Sequence, residues 1–160
     1  GLKKSGCVML KLGLESGDQG VLDKMHKGID VETASLALKT LKKVGIAAYV
    51  YLIFGTPAET LPAARKTLEF VVRHKDEIGF LNVALFNMPF CGLEGSRFET
   101  SSFYEGDLSL YTDFSHPTGW NRKDVRLFLN NEFKKQRAVS EILKKDPPVF
   151  TSNHAAFFVM

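Results

Sequence analysis

The sequence predicts an α/β fold in which parallel strands alternate with helices. The first observation is the stretch Ala47–Glu59, AAYVYLIFGTPAE, where an apolar run rich in β-branched and aromatic residues enters a Gly-Thr-Pro turn. An uninterrupted run of this kind indicates a strand that is buried on both faces, as in a parallel sheet. The second observation is that similar runs, Cys7–Leu14 and Phe80–Phe86, flank it and are separated from it by helical patterns. This alternation is typical of βαβ units with right-handed crossovers.

Composition limits the size and class of the protein. The 160 residues, of which 44% are hydrophobic, are enough for one compact domain but few for a complete barrel, which needs about 250 residues. The net charge is +3 and basic residues are mixed with acids, so no polyanionic partner is required, although nucleic acid stays open. The sequence has no apolar run of about 18 residues and no signal-type start, so we expect a soluble chain.

The two cysteines, Cys7 and Cys91, lie far apart, and neither has a cysteine or histidine at metal-ligand spacing. They favour a reducing, cytoplasmic setting with buried thiols. The four histidines form no HxH or HExxH pattern, so we predict no metal site in this chain.

The first half of the chain shows clear helix boundaries. Residues Leu2–Ser5 are predicted to end a helix at Gly6, so we expect the sequence to begin in the middle of a fold. The three helices that follow, each with its N-cap residue, are Asp18 before a helix to His26, Asp30 before Val31–Val44, and Thr60 before Leu61–His74.

The second half has a different pattern. Residues Phe98–Trp120 are predicted to form a loop with a short strand at Leu108–Phe114. Asn121 is predicted to cap one long amphipathic helix that ends near Lys145, before two prolines. Its many basic residues indicate a solvated face rather than an RNA site, because no aromatic platform lies among them. Thr151 or Ser152 is expected to cap a final short segment.

Each predicted strand ends in a polar or glycine-bearing loop: Gly13–Gly17, Gly55–Glu59 and Asn87–Pro89. If the strands are parallel, the three loops share one rim, where they offer a carboxylate, a hydroxyl and apolar strand ends to a nucleoside-like ligand. Structural roles remain open for the same residues. Glu15 can cap the next helix or pair with Lys27, Glu59 can stabilise a helix start, and Asn87 is an ordinary turn residue.

Three segments together are more specific than any one of them. They are LGLESGDQGVLDKMHKGIDVETA, GIAAYVYLIFGTPAET and FNMPFCGLEGSRFE. In this order they resemble the C-terminal half of the catalytic domain of radical S-adenosylmethionine enzymes, in the group with methylthiotransferases and cobalamin-binding members. The resemblance covers roughly residues 6 to 99.

The resemblance implies a fold, a cofactor and a set of binding residues. The fold is half of a (β/α)6 partial TIM barrel over residues 1–99, with residues 100–160 as a C-terminal extension whose long helix packs on it. The cofactor is S-adenosyl-L-methionine on a [4Fe-4S] cluster, cleaved reductively to a 5'-deoxyadenosyl radical. The implied cofactor-binding residues are Gly13, Glu15 and Ser16 on the first strand end, Ile53, Gly55 and Glu59 on the second, and Asn87 and Met88 on the third. Among them, Ile53 lies against adenine and Glu59 steadies the loop.

The family's cysteine triplet, C-x3-C-x2-C, is missing from this chain. We therefore expect an N-terminal half with the cluster loop to precede Gly1 in a longer parent, and this piece to be inactive alone. The first strand would then lack a neighbour, which favours self-association through its edge or cover by C-terminal residues. The alternative is a noncatalytic binding or scaffold half-barrel. Catalytic residues, substrate and cobalamin use are not predicted.

Overall fold

The computed structural model describes residues 1–91, 97–101, 110–145 and 159. The first half consists of β1 (Met9–Glu15), α1 (Gln19–Lys24), α2 (Val31–Lys43), β2 (Ala47–Phe54), α3 (Leu61–Arg73) and β3 (Ile78–Leu85). The second half consists of β4 (Met88–Pro89), β5 (Thr100–Ser101), β6 (Tyr111–Phe114), α4 (Arg122–Phe128), a π-helical segment (Leu129–Phe133) and α5 (Arg137–Leu143). No helix in these ranges is long and apolar enough to cross a membrane.

The central sheet has three strands in the order β1-β2-β3, and both strand pairs are parallel. This confirms the predicted α/β class and the common direction of the three strands. The register places Val50 between Leu12 of β1 and Leu81 of β3. Since all three strands run the same way, the loops that follow them lie at one edge of the sheet, which we call the rim.

The helices cover one face of this sheet. Alternate residues of β2, such as Val50 and Phe54, join a core to which α2, α3, α4 and α5 all contribute. The intervening residues point to the other face, where the rings of Tyr49 and Phe80 lie 5.8 Å apart. Val159 packs against this pair. Within the described ranges, the second face therefore carries aromatic side chains and no helix.

The four predicted N-caps are confirmed. Asp18, Asp30, Thr60 and Asn121 each accept a hydrogen bond from a backbone N–H in the first turn of the helix that follows. These bonds satisfy amides that have no partner inside the helix. The caps fix where each chain segment leaves the rim and turns into a helix. At the start of the chain, Leu2–Ser5 forms hydrogen-bonded turns that end at Gly6, whose φ is 84°.

The prediction of one continuous helix from Asn121 to Lys145 is wrong. After α4 the helix widens into the π-helical segment, where the Lys134 N–H donates to the Leu129 carbonyl, and α5 begins only after a new cap at Gln136. The wider turn lets Leu129 and Phe133 be buried together, and the Phe133 ring lies 5.1 Å from that of Phe54. Packing against β2 therefore overrides the regular helical repeat.

The region predicted to be mostly loop contains a small antiparallel sheet. Its strand order is β4-β6-β5, and the strand expected at Leu108–Phe114 is found at Tyr111–Phe114.

Cys91 follows β4 and is exposed, while Cys7 is only partly buried, so the expectation of buried thiols is wrong. Cys91 lies two residues beyond the end of β4, and no part of the chain that the structure describes buries it. The segment predicted to begin at Thr151 or Ser152 lies outside the described residues.

Candidate functional site

Glu15, the last residue of β1, turns its carboxylate back over the strand. Its φ is 65°, a left-handed conformation that is uncommon for a residue with a side chain. A Cβ atom on Gly13 would lie only 2.7 Å from Glu15 Oε1, so a larger residue there would displace the carboxylate. Lys27 Nζ lies 3.0 Å from the same oxygen. Of the structural alternatives that the sequence left open for Glu15, the structure shows the pairing with Lys27, and the carboxylate lies on the helix-free face, beside the strand end.

Ser16 connects the rim to α3. Its side chain is fully buried, and its Oγ lies 3.2 Å from Thr67 Oγ1 and accepts from the Asp18 N–H at 3.1 Å. The Gly17 N–H also donates to Thr67 Oγ1, at 2.9 Å. The Ser16 hydroxyl is thus occupied inside the protein and positions the loop after β1.

Glu59 fixes the turn after β2. The side chain is fully buried, and its Oε2 accepts hydrogen bonds from the Gly55 N–H and from Trp120 Nε1–H, the latter at 2.9 Å. Its Oε1 is buried without a hydrogen-bond partner in the described part of the chain. Burial raises the pKa of this carboxyl to about 7, although the two hydrogen bonds favour the charged form. Glu59 therefore stabilises the Gly55 turn and links it to a distant tryptophan.

Gly55 packs against α4. Its φ is 81°, and a Cβ atom there would lie 3.2 Å from Val125 Cγ2 of α4. Ile53, two residues earlier, is half-buried and belongs to the helix-free side of β2. The apolar side chain predicted to lie against a base is thus on the same face as the Glu15 carboxylate.

Asn87 and Met88 follow β3. Asn87 Oδ1 accepts from Arg122 Nη1 at 2.8 Å, and the same nitrogen donates to the Phe86 carbonyl at 3.1 Å. Met88 is fully buried and pairs with Thr112 of β6. These contacts secure the third loop of the rim to the second half of the chain.

Residues His116–Arg122, here called the strap, cross the ends of β2 and β3. His116 Nε2 donates to the Thr56 carbonyl at 2.8 Å, and Thr118 Oγ1 donates to the Glu59 carbonyl at 3.3 Å. Trp120 adds its bond to the Glu59 carboxyl. Sequence reasoning placed Trp120 at the end of a predicted loop and assigned the basic residues of the next helix, which include Arg122, to a solvated face. It had no signal for the bonds that these residues make to the rim.

The loops of the rim enclose a cavity of about 180 Å³, which we call the rim cavity. It is lined by Lys24, Met25, Thr56, Pro57, Ala58, Phe86, Arg97 and Phe98. These residues come from the end of α1, the turn after β2, the end of β3 and the segment before β5. Sequence reasoning selected none of them as site residues. These residues come together because the parallel sheet brings its loops to one edge and because the segment that contains Phe98 lies beside that edge.

No set of His, Cys, Asp and Glu side chains among the described residues could hold a metal ion. Cys7 precedes β1, at the sheet edge opposite the rim, and Cys91 follows β4. The two thiols therefore do not form a common ligand set in this structure.

The fold and the rim define an α/β protein whose loops meet at the carboxyl ends of parallel strands, where ligands bind in such sheets. No family model matches the chain. The chain is 35% identical, over 69 residues, to a protein of Pyrococcus horikoshii described as an uncharacterized methyltransferase. The match covers 43% of this chain and 15% of the relative, so the chain corresponds to a small part of that protein.

Proposed function

We propose that this chain is part of a radical S-adenosylmethionine enzyme and that its rim holds the adenosyl part of the cofactor. The observation that carries the proposal is the parallel sheet, which brings the loops that contain Glu15, Gly55 and Asn87 to one edge. The sequence segments that resemble this superfamily are the segments that form that edge. The similarity to a protein described as a methyltransferase supports an enzyme that uses a methyl-bearing cofactor.

The two faces of the sheet support half of a partial barrel. In a (β/α) barrel the helices pack outside and the opposite faces of the strands line the interior. Here the helices of the core share one face, and Tyr49 and Phe80 lie on the other. β1 has a strand partner on one side only within the described ranges. We assign a further strand beside its second edge to an N-terminal half in a longer parent.

The rim residues fit an adenosyl group. Ribose hydroxyls need acceptors, and the Glu15 carboxylate, whose Oε1 also pairs with Lys27, lies on the helix-free face. An adenine ring needs a flat apolar surface, which Ile53 supplies on the adjacent strand. Ser16 and Glu59 hold the loops in place through their buried hydrogen bonds. The cofactor would supply the reactive chemistry, while these residues bind, orient and shield it.

The iron–sulfur cluster does not fit the described residues of this chain. Such clusters are held by several cysteine thiolates, whereas Cys7 precedes β1, Cys91 follows β4, and no group of described side chains is arranged for a metal. We therefore assign this chain no role in ligating the cluster.

Cofactor binding can be tested on the 160-residue chain itself. S-adenosylhomocysteine, which lacks the transferable methyl group, is titrated and followed by ligand-observed saturation-transfer NMR. We expect Ile53→Asn and Glu15→Gln each to weaken binding by about tenfold, as for the loss of one buried apolar or charged contact. The matched controls, Leu36→Asn on exposed α2 surface and Glu69→Gln on α3, should bind like the wild type. Equal weakening by the controls would contradict the proposal.

Activity is tested on a protein extended by the coding sequence that precedes Gly1. After reconstitution with iron and sulfide under argon and reduction, 5'-deoxyadenosine is measured by liquid chromatography. Its formation, and its loss in Ile53→Asn, would support the proposal. An extended protein that lacks a cysteine triplet and forms no product would favour a noncatalytic binding domain. That second function is favoured by one observation: Glu15, Ser16, Glu59 and Asn87 all have partners within the chain.

A further inference from the structure

Two basic side chains give the rim cavity a positive charge that no described residue neutralises through an ion pair. Lys24 and Arg97 both line it, both are exposed, and neither forms an ion pair or hydrogen bond with any residue that the structure describes. Other basic residues nearby behave differently, because Lys27 pairs with Glu15 and Lys66 pairs with Asp18. Among the described residues that line the cavity, none is acidic.

The walls of the cavity are aromatic and held in place. Phe86 and Phe98 both line it, and the ring of Phe114 lies 5.9 Å from the first and 5.8 Å from the second. Phe114 belongs to β6, so the small antiparallel sheet fixes the two rings relative to each other. Aromatic rings arranged in this way provide flat apolar surfaces against which a planar group can stack.

A polar group without a partner is also present. Thr56 lines the cavity and is almost fully buried, and its Oγ1 has no hydrogen-bond partner within the described ranges. Its carbonyl, by contrast, accepts from His116 Nε2 and from the Glu59 N–H. A buried hydroxyl without a partner is costly. Thr56 Oγ1 is itself covered by neighbouring atoms, so a ligand in the cavity bonds to it only if those atoms move.

We propose that the rim cavity binds the anionic end of a planar aromatic molecule. The carboxylate or phosphate pairs with Lys24 and Arg97, and the ring lies against Phe86 and Phe98. The volume of about 180 Å³ is below the roughly 300 Å³ at which sites for whole drug-sized ligands begin, so the cavity takes one end of a ligand. The cavity opens at the same rim as Ile53 and Glu15. We therefore assign the anionic aromatic molecule as the substrate of the enzyme proposed above, and this assignment rests on that proposed function.

The experiment compares three small probes on the 160-residue chain. Benzoate, phenyl phosphate and neutral benzamide are titrated by saturation-transfer NMR at low ionic strength and again at about 0.5 M salt, where exposed charges are strongly screened. We expect benzoate or phenyl phosphate, or both, to bind at least about tenfold more tightly than benzamide, and the advantage to shrink in salt. The preferred anion identifies the substrate end as a carboxylate or a phosphate.

Variants locate the binding. Lys24→Gln with Arg97→Gln should weaken anion binding by about tenfold or more, because two charge-assisted contacts are lost. The matched control, Lys42→Gln with Lys43→Gln on exposed α2 surface, removes the same charge and should change it less than about twofold. Circular dichroism checks that both double variants are folded.

The outcomes separate this inference from the proposed function. Equal binding of benzoate, phenyl phosphate and benzamide, or equal weakening by both double variants, overturns the inference. If the anions bind as expected but S-adenosylhomocysteine does not bind, the cavity stands and the proposed function fails. If S-adenosylhomocysteine binds and none of the probes does, the inference alone fails.

Discussion

Replacing Glu59 with glutamine tests how the rim is held together. In the wild type both donors, the Gly55 N–H and Trp120 Nε1–H, reach the same oxygen, Oε2. A glutamine can place its carbonyl oxygen there and keep both bonds. Its amide group then occupies the position of Oε1, which has no partner in the described part of the chain. The variant is thus a neutral copy of the protonated acid.

The magnitude follows from the pKa of Glu59. Burial raises this pKa from 4.5 to about 7, so the folded protein holds the proton more tightly than the unfolded chain does. The stabilisation is fully present below pH 4.5 and is lost as the pH rises through about 7. At about 1.4 kcal/mol for each pH unit, the free energy of unfolding falls by about 3 kcal/mol over this window. Glu59→Gln cannot ionise and should not show this loss.

The assay is equilibrium unfolding in urea, followed by far-ultraviolet circular dichroism between pH 4.5 and pH 8.5. Glu59→Gln should match the wild type at the acid end and exceed it by about 3 kcal/mol at the alkaline end. Other titrating groups cancel in this difference, since both proteins carry them. Glu69→Gln, an exposed acid on α3, should follow the wild type at every pH. A difference between Glu59→Gln and wild type that is the same at both ends would refute the reasoning.

Three further substitutions are assayed by the same unfolding experiment. Gly55→Ala should cost about 1–2 kcal/mol because of its φ of 81°, and truncating Val125 to alanine should not restore that loss. Thr67→Val should cost about 1–3 kcal/mol, since the Gly17 N–H loses its acceptor, whereas Thr67→Ser should recover most of it. Burial lowers the pKa of His74, so the unfolded chain takes up a proton at this site more readily than the folded protein does as the pH falls below 6.5. His74→Phe removes this contribution, so its stability relative to the wild type should rise as the pH falls below 6.5. A difference in stability between His74→Phe and the wild type that is the same at about pH 8 and about pH 5 would exclude this histidine as a source of pH dependence.

Helix caps and buried strands are predictable because their signals are local. Asp30 accepts from the N–H groups of Glu32 and Thr33, so the cap can be recognised within four residues of sequence. The apolar run of β2 is long enough to exclude a surface strand. Direction follows from the helices between the strands, because short hairpin turns are absent there.

The interrupted C-terminal helix is not predictable in this way. Its polar and apolar spacing fits one helix, and no proline or glycine lies between Arg122 and Lys145. The break arises because Phe133 and Ile142 must both reach a core formed by β2 and β3, which a straight helix of this sequence cannot do. The position of that core depends on the tertiary structure, so the helix sequence alone does not predict the break.

The roles of the polar residues at the rim are equally difficult to predict from the sequence. A polar residue at a strand end can bind a ligand or a neighbour, and sequence alone does not distinguish the two. Ser16 bonds to a residue 51 positions away, Glu59 to one 61 positions away and Asn87 to one 35 positions away. These side chains have their hydrogen bonds inside the protein, so a ligand gains most from groups that do not. In the described ranges those groups include Lys24 and Arg97, which is why the rim cavity, rather than the motif residues alone, should decide what binds.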